Sequence, residues 1–274
     1  MNEQLIRKVG VVGNGAHIFV PKEWIGEKVI VIKAPAKELK EQILDVLNPY
    51  LENIEGAYLY GSRARGEESE ESDIDLLVIA NKKFEIKSNN FEITVIKEDE
   101  IEQLLKSMSA VMLFSILAEA KPIINAKLLE ELKDKYKPLP GNFKSFIENT
   151  KSIVNVQKAF LDYDIEESGK YTKFTDDDAL AYSLILRLRG IYLIKCLLLK
   201  RPYKKSDFND WILKNSKIRD YKNLFKAYLN VKRDSKIKIK RKILLNDLIN
   251  LYNLLKDEVL RIEEKIDDKK KRKA

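Results

Sequence analysis

The sequence predicts an α+β fold: a small mixed sheet, a short β extension before it and a helical bundle after it. Three observations carry that prediction. Short β-rich runs, some alternating apolar and polar residues, are confined to the first half of the chain and end near Ile124. Beyond them, apolar residues recur three and four apart, the period of helices with one buried face. Between the two regimes stands Pro138-Leu139-Pro140-Gly141, which no regular element accommodates.

In chain order, residues 1–34 read as strands. Lys8-Val9-Gly10-Val11-Val12 and Ala16-His17-Ile18-Phe19-Val20 flank Gly13-Asn14-Gly15, whose residue types suit a hairpin turn with positive φ, and Lys28-Val29-Ile30-Val31-Ile32 reads as a last strand. Thirty residues cannot bury a core alone, so this segment needs a partner surface. A helix from Ala36 to Leu47 carries Leu39, Ile43, Leu44 and Leu47 on one stripe. Strands are expected at Ala57–Tyr60, Asp73–Ile79 and Phe91–Ile96, then Leu- and Ile-rich helices and a short Pro122-Ile123-Ile124 strand. Residues 35–137 thus form one α/β unit and 142–266 a helical domain. Within the latter, Thr175-Asp176-Asp177-Asp178 resembles a helix start, and the helix beyond is apolar nearly all round, as at the centre of a bundle. Leu244 to Ile262 form another stripe, and 267–274 is a basic tail expected to be disordered.

Composition narrows the function. The chain has 274 residues, 45% apolar and 34% charged, enough for two domains with cores. Its one cysteine, Cys196, excludes an internal disulfide and suits a reducing cytoplasm; with the single histidine, His17, it also excludes a His/Cys zinc site within one chain. Met1-Asn2-Glu3-Gln4 opens no secretory signal, and the longest apolar run contains Arg187, Arg189 and Lys195, so no membrane span is expected. The net charge is +8, yet Lys200–Lys242 holds 16 basic and 4 acidic residues, net +12. Such a segment attracts polyanions, nucleic acid included.

The densest chemistry lies in Gly61-Ser62-Arg63-Ala64-Arg65-Gly66 and Ser72-Asp73-Ile74-Asp75-Leu76-Leu77-Val78. Asp73 and Asp75 share one side of a strand and repel each other unless a cation intervenes; magnesium, a hard ion that favours oxygen ligands and accompanies phosphates, is the usual one. Upstream, a strand running into a glycine turn and a helix start leaves backbone N–H groups to hold an anion.

This G-S-x-A-R-G, spacer, S-D-I-D-L-L-V pattern closely resembles the signature of the DNA polymerase beta-like nucleotidyltransferases, especially their minimal branch. The resemblance implies transfer of a nucleoside monophosphate from an NTP, ATP by default, to a hydroxyl acceptor, with release of pyrophosphate. It implies that Gly61 and Ser62 cradle the terminal phosphates, with Arg65 supporting them, and that Asp73 and Asp75 hold two Mg2+ ions. A third carboxylate comes from a neighbouring strand; Glu92 in Phe91–Ile96 is the candidate, where many relatives have aspartate. Asp73, Asp75 and Glu92 are thus both the metal ligands and the catalytic residues. The acidic spacer Glu67-Glu68-Ser69-Glu70-Glu71 reads as a solvated loop.

Two further resemblances are looser. Gly13-Asn14 with Pro21-Lys22-Glu23-Trp24 is similar to the swapped-hairpin DNA-binding segment of AbrB-like regulators, which interleave two chains, so residues 1–34 are either a homodimerising hairpin or an extension of the core. A helical domain after a minimal core is similar to those of aminoglycoside nucleotidyltransferases and to HEPN partner domains. A HEPN-type ribonuclease is excluded, because its Arg-x4–6-His motif needs a histidine beyond residue 17. The alternative to an active enzyme is a nucleic-acid-binding regulator or an antitoxin-like module with a degenerate or protein-modifying core. The acceptor, whether protein, RNA or small molecule, is not encoded in the motif.

Overall fold

The most apolar strand occupies the middle of the sheet. In the computed structural model, which describes residues 7, 9–29, 38–69, 72–168, 174–175, 178–232 and 242–271, β4 (Ile74–Ala80) is buried from Leu76 through Ala80. Burial on both faces explains why it reads as a continuous apolar run rather than an alternating one. Antiparallel to it lies β3 (Ile54–Tyr60), and parallel to it on the other side β5 (Phe91–Lys97). A fourth strand, β6 (Lys121–Ile124), pairs antiparallel with β3, giving the order β5-β4-β3-β6. The α+β architecture expected from the sequence, with its small mixed sheet, is the one observed.

The chain divides into two compact units, residues 1–42 and 43–274. In the first, β1 (Gly10–Val12) and β2 (Gly15–His17) form the expected hairpin around Gly13, whose φ is +52°. The second strand is shorter than expected: beyond His17 the backbone leaves the ladder, and a 3-10 turn spans Lys22–Trp24. The last part of the predicted Lys28–Ile32 strand lies outside the described residues. None of the described residues 7–29 is buried; Val11, Ile25 and Phe19 are 85%, 77% and 76% exposed.

Helix α1 (Leu39–Leu47) spans the division at residue 42, and in the second unit α3 (Ile101–Leu104), α4 (Ala110–Glu119) and α5 (Ala126–Lys135) accompany the sheet. The predicted start of α1 at Ala36 falls outside the described residues. Asn125 takes a left-handed φ of 59° before α5, where its side chain accepts from the Leu128 N–H and donates to the Glu55 carbonyl. The helical half contains α6 (Lys144–Ser168), α7 (Asp178–Leu198), α8 (Lys205–Asn215), α9 (Tyr221–Lys232) and α10 (Leu245–Lys271). As its all-round apolarity predicts, α7 is central: Leu184, Ile185, Leu188, Ile191 and Ile194 are fully buried.

The sequence divides this stretch at 138–141, where a 3-10 turn covers Pro140–Phe143. The core nevertheless runs across it: Phe143 meets Phe114 of α4 edge-on at 5.7 Å, and sheet and helices belong to one apolar cluster. Thr175 stands just before α7, near the helix start expected at 175–178, and its backbone pairs with Ile243, as β7 (Phe174–Thr175) against β8 (Ile243–Leu244). Two local expectations change. Leu244 lies in β8 rather than in the last helix, and α10 continues through Lys271, into the tail expected to be disordered. One ion pair is deep: Glu258, 1% exposed, accepts from Lys195 at 2.7 Å and Arg261 at 2.6 Å.

Candidate active site

The site begins where β3 ends. Tyr60 is extended, and Gly61 then turns with φ +75° into α2 (Gly61–Arg65), a single short helical turn closed by left-handed Gly66. Gly61 also lies against Asp75: a Cβ there would collide with the carboxylate, standing 2.7 Å from its Cγ and 3.1 Å from its Cβ. Glycine is required on both counts. The first amide of the turn is not left for a ligand, as expected from the sequence, but donates to Glu119 Oε1 at 2.8 Å.

The acidic residues come together as the strand pattern predicts. Asp75 is in register with Glu92 across the parallel β4–β5 pair, and Asp73 precedes it by two residues, on the same side. All three line one cleft of about 570 Å³ together with Ser62 and Arg65. Burial first, then the nearby Glu92 and Asp73 charges, push the Asp75 carboxyl up to about 6, against the opposing pull of Lys232 and Arg65. A carboxylate so penalised by like charges is one that a cation would relieve, and an all-oxygen donor set suits magnesium. As placed, no group of three or more His, Cys, Asp or Glu side chains among the described residues is arranged to hold a metal ion. The fit to magnesium therefore rests on donor chemistry and strand register.

The facing wall is cationic and aromatic. Arg189 of α7, Lys205 at the start of α8 and Lys232 at the end of α9 line the cleft with Tyr203, Phe208, Phe225, Tyr228 and Leu229. Arg189 lies 5.5 Å from the centre of the Tyr203 ring, and its Nε is buried with no hydrogen-bond partner. Burial works to lower its pKa, but the Tyr203 and Tyr228 hydroxyls outweigh this. Lys205 Nζ sits 5.1 Å over the Phe225 ring. None of this wall belongs to the motif. A charge inside the apolar run of α7 marked Arg189, and the basic excess of 200–242 contained Lys205 and Lys232, but neither signal indicated a direction.

Arg65 acts as a brace. Its Nη1 donates to both Glu119 oxygens at 2.8 and 2.7 Å, its Nε donates to Glu67 at 2.9 Å, and its guanidinium lies 5.2 Å from the Tyr203 ring centre. Hydrogen bonds to the two glutamates raise its pKa against the lowering effect of burial. Glu67, read from sequence as a solvated spacer, also accepts the Lys205 backbone N–H at 2.9 Å. A continuous polar chain thus runs from Gly61 through Glu119, Arg65 and Glu67 to the first residue of α8. Arg63 donates to the Ser72 carbonyl at 2.9 Å, tying the end of the acidic loop to α2.

Among solved structures, spectinomycin adenyltransferase AAD(9) from Enterococcus faecialis, determined with ATP and spectinomycin, is similar at 16% identity; the match covers 81% of this chain and 97% of that one, with a TM-score of 0.42. A nucleotidyltransferase-like protein from Exiguobacterium sibiricum 255-15 is similar at 12% identity, over 84% of this chain and 78% of that one, with a TM-score of 0.38. No curated protein matches the chain. Residues 41–133 match the family model described as polymerase beta, nucleotidyltransferase. The segment that carries Gly61, Ser62, Arg65, Asp73, Asp75 and Glu92 lies wholly within that match.

Proposed function

We propose that the cleft binds a nucleoside triphosphate, ATP by default, and transfers its nucleoside monophosphate to a hydroxyl acceptor. The observation that carries this reading is the opposition of Asp73, Asp75 and Glu92 to Arg189, Lys205 and Lys232 across one cleft. A polyphosphate needs cations on every side, and the helical wall supplies one set of them. Asp73, Asp75 and Glu92 would hold two magnesium ions, whose chemistry there is to neutralise the polyphosphate and to make the acceptor hydroxyl more acidic.

The remaining steps belong to the chain. Ser62 and the Gly61 turn place the terminal phosphates, and Arg65, held by two carboxylates, fixes that turn rather than contacting the phosphates first. The acceptor oxygen bonds to the α-phosphorus, the bond from that phosphorus to the bridging oxygen breaks, and pyrophosphate leaves toward Arg189, Lys205 and Lys232. Glu92 takes the acceptor proton. Half-buried Phe225 and Leu229 line the cleft and give it apolar surface against which a base can pack, which suits a nucleotide without selecting among bases. No helix among the described residues is long and apolar enough to cross a membrane. The NTP supply and the single buried thiol, whose pKa burial pushes up, make the cytoplasm the natural setting.

The test is magnesium-dependent release of pyrophosphate from each NTP in the presence of cell extract. Wild-type protein is expected to release it and Asp75→Asn to lose it by at least about a thousandfold, the scale of losing a transition-state charge partner. Absence of magnesium-dependent NTP binding by calorimetry would remove the proposal.

A further inference from the structure

Two guanidiniums reach one aromatic ring. Arg65 lies 5.2 Å and Arg189 5.5 Å from the centre of the half-buried Tyr203 ring, both within cation–π range. Their charges meet different surroundings. Arg65 is neutralised by the protein, with Glu119 accepting two hydrogen bonds from it and Glu67 one. Arg189 has no such partner: among the described residues no carboxylate pairs with it, and its buried Nε finds no acceptor. The groups beside its guanidinium are the Tyr203 and Tyr228 hydroxyls. Arg187, two residues earlier on α7, also lacks a carboxylate, but it packs on Phe146 and does not line the cleft. Arg189 does line it, together with Asp73, Asp75 and Glu92.

We propose that Tyr203 is a positioning residue, which holds Arg189 with its charge un-neutralised for the polyphosphate and the departing pyrophosphate. The inference deepens the nucleotidyl-transfer reading above and rests on it for the ligand. A carboxylate that orients a guanidinium also neutralises it. A phenol orients it through its ring face and its oxygen and leaves the positive charge in place. Burial keeps the Tyr203 phenol neutral, raising its pKa against the lowering pull of Arg189 and Arg65. The ring is itself set by Arg65, and Arg65 is bonded to the same Glu119 that accepts the Gly61 amide. Tyr203 therefore links the turn at the start of α2 to a cation on α7, two parts of the site that no backbone pairing joins. Without the ring Arg189 keeps its charge but loses its aim, and the entropy of ordering it again weakens phosphate binding.

The experiment measures binding of inorganic pyrophosphate with magnesium to the full chain by calorimetry, in a cycle of Arg189→Met, Tyr203→Leu and the two combined. Arg189→Met is expected to weaken binding about tenfold or more, the scale of a charge-assisted contact. Tyr203→Leu is expected to weaken it about tenfold, and the double variant should bind no more weakly than Arg189→Met alone, because the ring acts only through the guanidinium. Tyr203→Phe keeps the ring and should lose only about threefold, the scale of one neutral hydrogen bond. Should Tyr203→Leu fail to fold, the same cycle run with Tyr203→Phe decides: its loss should vanish in the Arg189→Met background. Losses that add in the double variant, or a Tyr203→Leu protein that binds as tightly as wild type, overturn the proposal. So does wild-type protein that binds NTP but not pyrophosphate, an outcome that leaves the transfer reading intact. Wild-type protein that shows the expected cycle but releases no pyrophosphate from any NTP overturns the transfer reading and upholds the role of Tyr203 in holding Arg189.

Discussion

A single methyl added at Gly61 tests the site more sharply than removal of any carboxylate. Two effects act on Gly61→Ala. An L-residue at φ +75° costs about 1–2 kcal/mol relative to glycine. The new Cβ also invades the Asp75 carboxylate, with Cγ at 2.7 Å, so that side chain must swing away at about 0.5–1.5 kcal/mol for an off-rotamer position. Gly66 supplies the control: it has a similar φ of +70°, but a Cβ there meets nothing within 4 Å. Gly66→Ala should therefore lose about 1–2 kcal/mol by urea denaturation, and Gly61→Ala about 2–3 kcal/mol. The functional contrast should be larger. Displacing one carboxylate by about an ångström is expected to lower kcat/KM for NTP turnover about a hundredfold, while Gly66→Ala stays within a few-fold of wild type. Equal stability losses and equal turnover for the two variants would refute the claim that Gly61 is needed for its contact with Asp75.

Other outcomes follow from the same geometry. Asp75 has a folded pKa of about 6 against an ordinary 3.8, so folding disfavours its charged form. That penalty is absent at low pH, where the carboxyl is protonated in both states, grows as pH rises from about 4 to 6, and is constant above. Asp75→Asn should then stabilise the metal-free protein by about 1–2 kcal/mol at pH 8, after discounting for partial solvent screening, and give no gain near pH 4; thermal melts across that range check it. Lys232→Met removes a charge that lowers the Asp75 pKa, so the acidic limb of the pH–rate profile should move upward. Arg189→Met should raise KM for the NTP about tenfold or more, read by steady-state kinetics, because a charge-assisted contact contributes about 1.5–3 kcal/mol. Glu119→Ala frees the Gly61 amide and leaves the Arg65 guanidinium, 15% exposed, with Glu67 alone; a loss of about 2–4 kcal/mol in chemical denaturation is expected.

The parts of this molecule legible from sequence are those whose signal is local. The continuous apolar run of β4, the spacing of Asp73 and Asp75, the Gly13 turn and the largely apolar α7 each follow from residue types and spacing within a short stretch. What stayed hidden depends on chain segments meeting from far away. The Lys205 amide finds Glu67 across 138 positions, and Glu119 reaches the Gly61 amide across 58. Glu67 sits in a run of acidic residues that looks solvated, and no pattern in that run distinguishes it from its neighbours. Arg189 was visible only as a charge in an apolar helix, a fact that argued against a membrane span but did not point to a cleft. Nothing around Thr175 indicated that its backbone would also pair with distant Ile243.

The parallel pairing of β4 with β5 also bears on how the protein folds. Asp75 and Glu92 are neighbours only because the two backbones are in that register; a slip of one residue would turn Glu92 to the opposite face of the sheet. The sheet is complete only when β6 pairs with β3, Ala57 with Ile124, a contact far more distant in sequence than any within a helix, so it forms late and slowly. During refolding, recovery of nucleotide binding should consequently lag behind recovery of helical signal. The acidic face then serves as a built-in clock for completion of the sheet, and a misregistered population would be compact, helical and inert.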